Sequence, residues 1–187
     1  MNDIEKDLLE KLLKFYEFAL HQRDVYEDGH GRRVATLAMQ LAFKLNLPDE
    51  FLVPLNYGAR FHDVGKLLLP VELLNKETLT PDEFDTVKEH VTNGFMLFQR
   101  LGINGSMLRS IAESHENWDG SGYPLKKKGE DIFVGARIIR IVDTYDALTS
   151  LRPYGKRLLQ AETLAEMESC ANHYDPKMLK TFKEMMI

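Results

Sequence analysis

Apolar residues recur at three- and four-residue intervals along almost all of this chain, a spacing that forms one continuous face only on an α-helix. Ile4, Leu8, Leu12, Phe15 and Ala19 mark a first amphipathic helix. Val34, Leu37, Ala38, Leu41 and Leu45 mark a second, entered through Asp28-Gly29. Pro48 opens a third that runs to His62-Asp63 and breaks at Gly65. Thr80-Pro81-Asp82-Glu83 reads as a capping box with proline at the first helical position, predicting a helix to Leu101 stopped by Gly102. Helical spacing continues over 106–115, 134–150, 156–172 and 176–186, and no segment alternates as a strand would. The expectation is an all-α, single-domain bundle of about seven or eight helices.

At 187 residues and 44% hydrophobic content, one substantial core is expected. The net charge of -5 gives no global attraction to nucleic acid or to an anionic membrane, so neither is an expected partner. Phosphate recognition must then come from local positive charge or bound cations. A single cysteine, Cys170, excludes an internal disulfide, fits a reducing compartment and reads as a buried or half-buried helix residue. Met1-Asn2-Asp3-Ile4-Glu5-Lys6 has no secretory pattern, and no apolar run nears the roughly 18–20 residues of a membrane span. The expected location is cytoplasmic.

His62 and Asp63 are adjacent, and His30, His90, His115 and Asp143 lie at wide spacings around them. Of the six histidines, only His21 and His173 fall outside this set. Each member sits in the middle or at an end of a predicted helix. Asp143 stands in the apolar run Ile139-Arg140-Ile141-Val142-Asp143, where a carboxylate needs a strong partner. Singly, each has an ordinary reading as a hydrogen-bonded core or capping residue; together they point to a metal centre. Imidazole and carboxylate without thiolate suit iron, manganese, nickel or zinc. Two cations sharing one carboxylate would activate water and neutralise a phosphodiester, so the chemistry expected is hydrolysis. Lys66 either reaches the same face to donate to a phosphate oxygen or is a solvated loop lysine.

Residues 116–132 form a long, glycine-rich connection of the kind that is usually functional or mobile. The run His62-Asp63 with Gly65-Lys66, then His115-Glu116, Asp119-Gly120 and Gly122-Tyr123-Pro124, then Asp143-Thr144-Tyr145-Asp146-Ala147-Leu148-Thr149 resembles an HD-GYP domain. The match extends from about His30 to Asp175-Pro176. The resemblance implies a helical phosphohydrolase that opens cyclic di-GMP with two, sometimes three, metal ions. By similarity, His30, His62, Asp63 and Asp143 hold one ion, and Asp63 bridges to a second held by His90 and His115. Lys66 contacts the scissile phosphate, and Asp146, Arg152, Lys156 and Tyr123 lie with the substrate. Residues 1–22 precede the resemblance, as core or as a dimerisation element, and 23–187 form the phosphohydrolase domain.

The chain departs from the family pattern at Ser114, which stands where an adjacent pair of histidines is usual. Water, Glu113 or Glu116 are the replacements to consider. Asn117 replaces a frequent arginine, Gly155 a basic residue next to Lys156, and Tyr26 the glutamate of three-metal members, so two metals are expected. Leu125-Lys126-Lys127-Lys128 reads as a solvated charge run. The alternative to an enzyme is an impaired module that binds a cyclic dinucleotide or a diguanylate cyclase (GGDEF) domain. A one-metal nucleotide monophosphatase ranks last, because the Gly-Tyr-Pro loop speaks against it.

Overall fold

The computed structural model describes residues 3–24, 29–150 and 157–186. Arg152, Lys156, Gly155 and Tyr26 lie outside these, and their expected roles with them. Among the described residues there are nine α-helices and no strand: α1 Asp3–His21, α2 His30–Lys44, α3 Asp49–Phe61, α4 Val71–Leu74, α5 Pro81–Arg100, α6 Gly105–Ala112, α7 Val134–Thr149, α8 Gln160–Ser169 and α9 Pro176–Met186. The helix beyond the expected count is α4, a single turn too short to show a period. Helices α6 and α8 end a few residues earlier than the periodicity suggested. Residues 113–115 form a turn, and a 3-10 helix covers Ala171–His173.

Helix α3 is the axis of the fold because it is apolar on two sides. Leu55 and Ala59, one turn apart, pack with α2, α7, α8 and α9. Tyr57 and Phe61, on the other side, pack with Leu9, Leu13, Tyr16 and Leu20 of α1, Phe98 of α5 and Ile111 of α6. Phe61 meets Phe98 at 4.9 Å and Tyr16 at 5.4 Å between ring centroids. Emptying this position to alanine would cost about 3–5 kcal/mol. Helix α1 thereby belongs to the core. The C-terminal end of α3 falls at the junction of the two apolar clusters, and His62-Asp63 sits on that end.

Two further contacts bring distant helices to this point. The capping box of α5 forms as read: Thr80 Oγ1 accepts from the Glu83 amide at 3.3 Å, and Glu83 Oε2 accepts from the Thr80 amide at 2.9 Å. Past α3 the chain tightens into a 3-10 helix, Val64–Leu68, and lies directly on α5. A Cβ on Gly65 would stand 1.8 Å from the His90 carbonyl oxygen, so only glycine allows this approach. His90 therefore reaches Asp63.

Candidate metal centre

All six side chains read as ligands converge. His30 is the first residue of α2, His62 follows α3, Asp63 precedes the 3-10 helix, His90 is mid-α5, His115 follows α6 and Asp143 is mid-α7. His30, His62 and Asp63 bring ligand atoms within 4.8 Å of one another, as do Asp63, His90 and His115. Asp143 joins the first group, with Oδ1 3.2 Å from His30 Nε2 and 3.6 Å from His62 Nε2. Asp63 belongs to both. Its Oδ2 is 3.4 Å from His62 Nε2, while its Oδ1 is 3.1 Å from His90 Nε2 and 3.9 Å from His115 Nε2.

The backs of three imidazoles are anchored, which aims their other nitrogens inward. His62 Nδ1 donates to the Ala59 carbonyl at 2.8 Å, and His90 Nδ1 to the Val87 carbonyl at 2.7 Å. A carbonyl can only accept, so the proton sits on Nδ1 and the Nε2 lone pair faces the cluster. His30 Nδ1 donates to Asp146 Oδ2 at 2.8 Å, with the same result. His62 Nε2 and Asp63 Oδ1 are buried without a hydrogen-bond partner. Buried orphans of this kind carry a penalty that a bound divalent cation would remove. The donor set, imidazole and carboxylate with orphaned atoms turned inward, fits such ions.

The electrostatics agree. Burial would raise the Asp63 carboxyl, but His62 and Lys66 outweigh it and hold it well below the usual range. Burial likewise acts on Asp143, and hydrogen bonds from His30 and His62 reverse it. Burial lowers His115 to about 4, so its imidazole is neutral at pH 7 and free of a competing proton. Burial would also lower His62, yet the carboxylates of Asp63 and Asp143 prevail and raise it. A bound divalent ion would take the place of that proton.

A cavity of about 530 Å³ opens over these residues, a size typical of small-molecule sites, with Arg33, Lys66, Val87 and Tyr123 in its wall. Tyr123 lies flat on His115, with centroids 5.1 Å apart and an interplanar angle of 3°. The 116–132 connection thus folds back over the centre; Gly122 is needed there, since a Cβ would come 2.2 Å from the Asn117 nitrogen. Lys66 Nζ is 2.8 Å from Asp63 Oδ2, on the face expected. Asp146 shares the cavity wall, but both its oxygens hold neighbours: Arg33 Nε donates to Oδ1 at 2.7 Å, and Arg33 Nη2 to Oδ2 at 2.9 Å. Arg33 was not legible as a site residue. It is one turn past His30, as Asp146 is one turn past Asp143, and only the docking of α2 on α7 reveals the pairing.

Ser114 is fully buried and donates its hydroxyl to the Ile111 carbonyl at 3.0 Å. The acidic replacements considered for it are committed elsewhere. Glu113 accepts from Lys127 Nζ at 2.8 Å and from the Phe133 amide at 2.7 Å. Glu116 accepts from the amides of Leu125 and Lys127 at 2.6 and 3.0 Å. Lys127, read as solvated, is therefore partly an internal ion-pair partner. Asn117 is buried and accepts from Arg140 Nε at 2.8 Å.

Comparison with known proteins follows the same lines. The HD domain profile matches residues 14–178. The chain belongs to the HD domain family. Within the HD domain family, it is 32% identical over 186 residues to a cyclic di-GMP phosphodiesterase of Thermotoga maritima, covering 96% of this chain and 50% of that protein. A cyclic di-GMP phosphodiesterase of Pseudomonas aeruginosa is 35% identical over 165 residues, covering 87% and 40%. An HDG"Y"P protein from Bdellovibrio bacteriovorus has the same HD domain fold, with a TM-score of 0.72 at 21% identity over 88% of this chain and 53% of that one. The chain thus spans half or less of the curated relatives it matches here. The HD-GYP resemblance read from the motifs is borne out.

Proposed function

We propose that this chain is a metal-dependent phosphodiesterase that hydrolyses cyclic di-GMP, to pGpG or GMP, in bacterial second-messenger signalling in the cytoplasm. One observation carries the reading: the two oxygens of Asp63 are divided between two imidazole groups on the floor of a substrate-sized cavity. The names of the relatives support the cyclic dinucleotide as substrate. His30, His62, Asp63 and Asp143 would hold one ion, and Asp63, His90 and His115 another. Iron or manganese suits this donor set first, nickel or zinc next. When bound, such ions supply Lewis-acid charge and activate water.

The chain's own residues do the positioning. Asp63 would be a ligand shared by both ions and, with Lys66, the catalytic group; Lys66 would donate to a non-bridging phosphate oxygen. Tyr123 holds the wall beside His115. Asp146 keeps His30 in its ligating tautomer, and Arg152 and Lys156 are the proposed phosphate grips. Anaerobic loading with Fe²⁺ or Mn²⁺ should give opening of cyclic di-GMP, and Asp63→Ala should abolish it. Equal, background-level conversion by both proteins sinks the reading.

The Ser114 hydroxyl, turned to Ile111, favours one second reading. The chain would then be an impaired module that binds a cyclic dinucleotide or a diguanylate cyclase domain, or acts as a homodimer. In that case Ser114→His restores turnover that the wild type lacks.

A further inference from the structure

The segment after α1 carries a carboxylate that none of the motifs includes. Asp24 is 3% exposed and lines the same cavity. The chain at and just before it is held by three hydrogen bonds. Arg23 Nη2 donates to the Leu69 carbonyl at 2.6 Å, Asn75 Nδ2 donates to the Arg23 carbonyl at 2.6 Å, and the Asp24 amide donates to the Leu20 carbonyl at 2.8 Å. The end of α1 and the residue before Asp24 are therefore tied to both flanks of α4, at Leu69 and at Asn75. A carboxylate so buried requires a partner of opposite charge. Lys66 faces it, with Nζ 3.6 Å from Asp24 Oδ2 and 2.8 Å from Asp63 Oδ2.

Lys66 thus lies between Asp24 and Asp63, and of this pair Asp63 belongs to the ligand groups. Divalent cations held by the two ligand groups would offset the charge of Asp63. An ammonium 2.8 Å from that carboxylate would then be repelled by the same cations. Asp24 is outside both ligand groups, so those cations would not engage its carboxylate. We infer that Asp24 is the positioning residue for Lys66: it anchors the ammonium in the cavity wall when the metals are bound and keeps Nζ directed at the substrate phosphate. The inference rests on the proposed phosphodiesterase reading.

Asp24→Asn keeps the shape and the stitching but removes the charge. In Mn²⁺-loaded protein, turnover should fall about tenfold, the effect of a partly buried ion pair, while Asp24→Glu stays above the asparagine level. In a Lys66→Met background, Asp24→Asn should add nothing further, and metal content should match the wild type throughout. A crystal structure of the Mn²⁺-loaded wild type gives a readout independent of turnover: Lys66 Nζ should close to about 3 Å from Asp24. Wild-type turnover in Asp24→Asn, additive losses in the double variant, or a lost metal equivalent overturns the inference. So does a loaded crystal in which Lys66 still sits on Asp63. A chain that takes up metal but opens no dinucleotide overturns the enzyme reading instead, and the loaded crystal still decides the role of Asp24.

Discussion

Asp146 stands 2.8 Å behind the His30 imidazole, on the side opposite the 3.2 Å approach of Asp143. Burial would raise the Asp146 carboxyl, but His30 and Arg33 outweigh it and hold it ionised. The ring is thereby held in the tautomer that presents Nε2 to the cluster. Asp146→Asn should lower the affinity of the His30 group for Mn²⁺ by roughly 10–100-fold, as loss of an outer-shell partner does elsewhere. Metal titration of the two proteins checks it, and equal affinities would dispose of the outer-shell role.

Ser114 should matter little to metal binding as it stands. Its hydroxyl is committed to the Ile111 carbonyl in a fully buried position. Ser114→Ala should cost about 1 kcal/mol of stability and leave the metal content per chain unchanged. Thermal melts and elemental analysis read both quantities. A fall in bound metal would mean that the hydroxyl turns to the cluster on loading.

Gly65 should be intolerant of any side chain. The nearest obstacles to its Cβ are backbone atoms, the His90 carbonyl oxygen at 1.8 Å and the Gly94 nitrogen at 2.6 Å. Relief requires parting α5 from the 3-10 helix, which also withdraws His90 from Asp63. Gly65→Ala should lose roughly 3 kcal/mol or more and weaken metal binding with it. Denaturant melts at fixed metal concentration test the pair of effects; a wild-type melt would contradict the close approach.

Glu17 should make a pH-dependent contribution remote from the centre. Burial pushes its carboxyl up, but the guanidinium groups of Arg32 and Arg60 outweigh this and lower it below 4.5. Arg60 Nη2 donates to Glu17 at 2.7 Å and Arg32 Nη2 at 2.6 Å. The folded value lies below the unfolded one, so the contribution is complete above 4.5 and disappears as pH falls through the folded value. Glu17→Gln should therefore destabilise by on the order of 1 kcal/mol at neutral pH and by progressively less as pH falls below 4.5. A constant difference between the two proteins across that range would refute the assignment.

Much of the site was readable from composition and order along the chain. The six ligand candidates needed no geometry to be grouped, because a buried carboxylate such as Asp143 and an adjacent His-Asp pair demand a common explanation. The capping box placed the start of α5, and hence the turn on which His90 falls. Three things stayed hidden. Arg33 and Asp24 belong to no motif, and their meaning depends on which helix or loop they face. The reorientation of Glu113 and Glu116 depends on amides of the 125–133 stretch, whose backbone path has no periodic signal. The role of Asp146 was half legible: its spacing put it near the centre, but not on His30.

By itself the sequence determined the helical class and the chemistry of the ligands, because periodicity and residue type are local properties that hold wherever the chain goes. Tertiary structure alone decided which oxygen of Asp63 faces which histidines, that Ser114 turns back to Ile111 of α6, and that Lys66 stands between Asp24 and Asp63. Such relations reach across as many as 116 residues, as His30 to Asp146 does, and arise from close packing of helices whose separation along the chain carries no record of their separation in space.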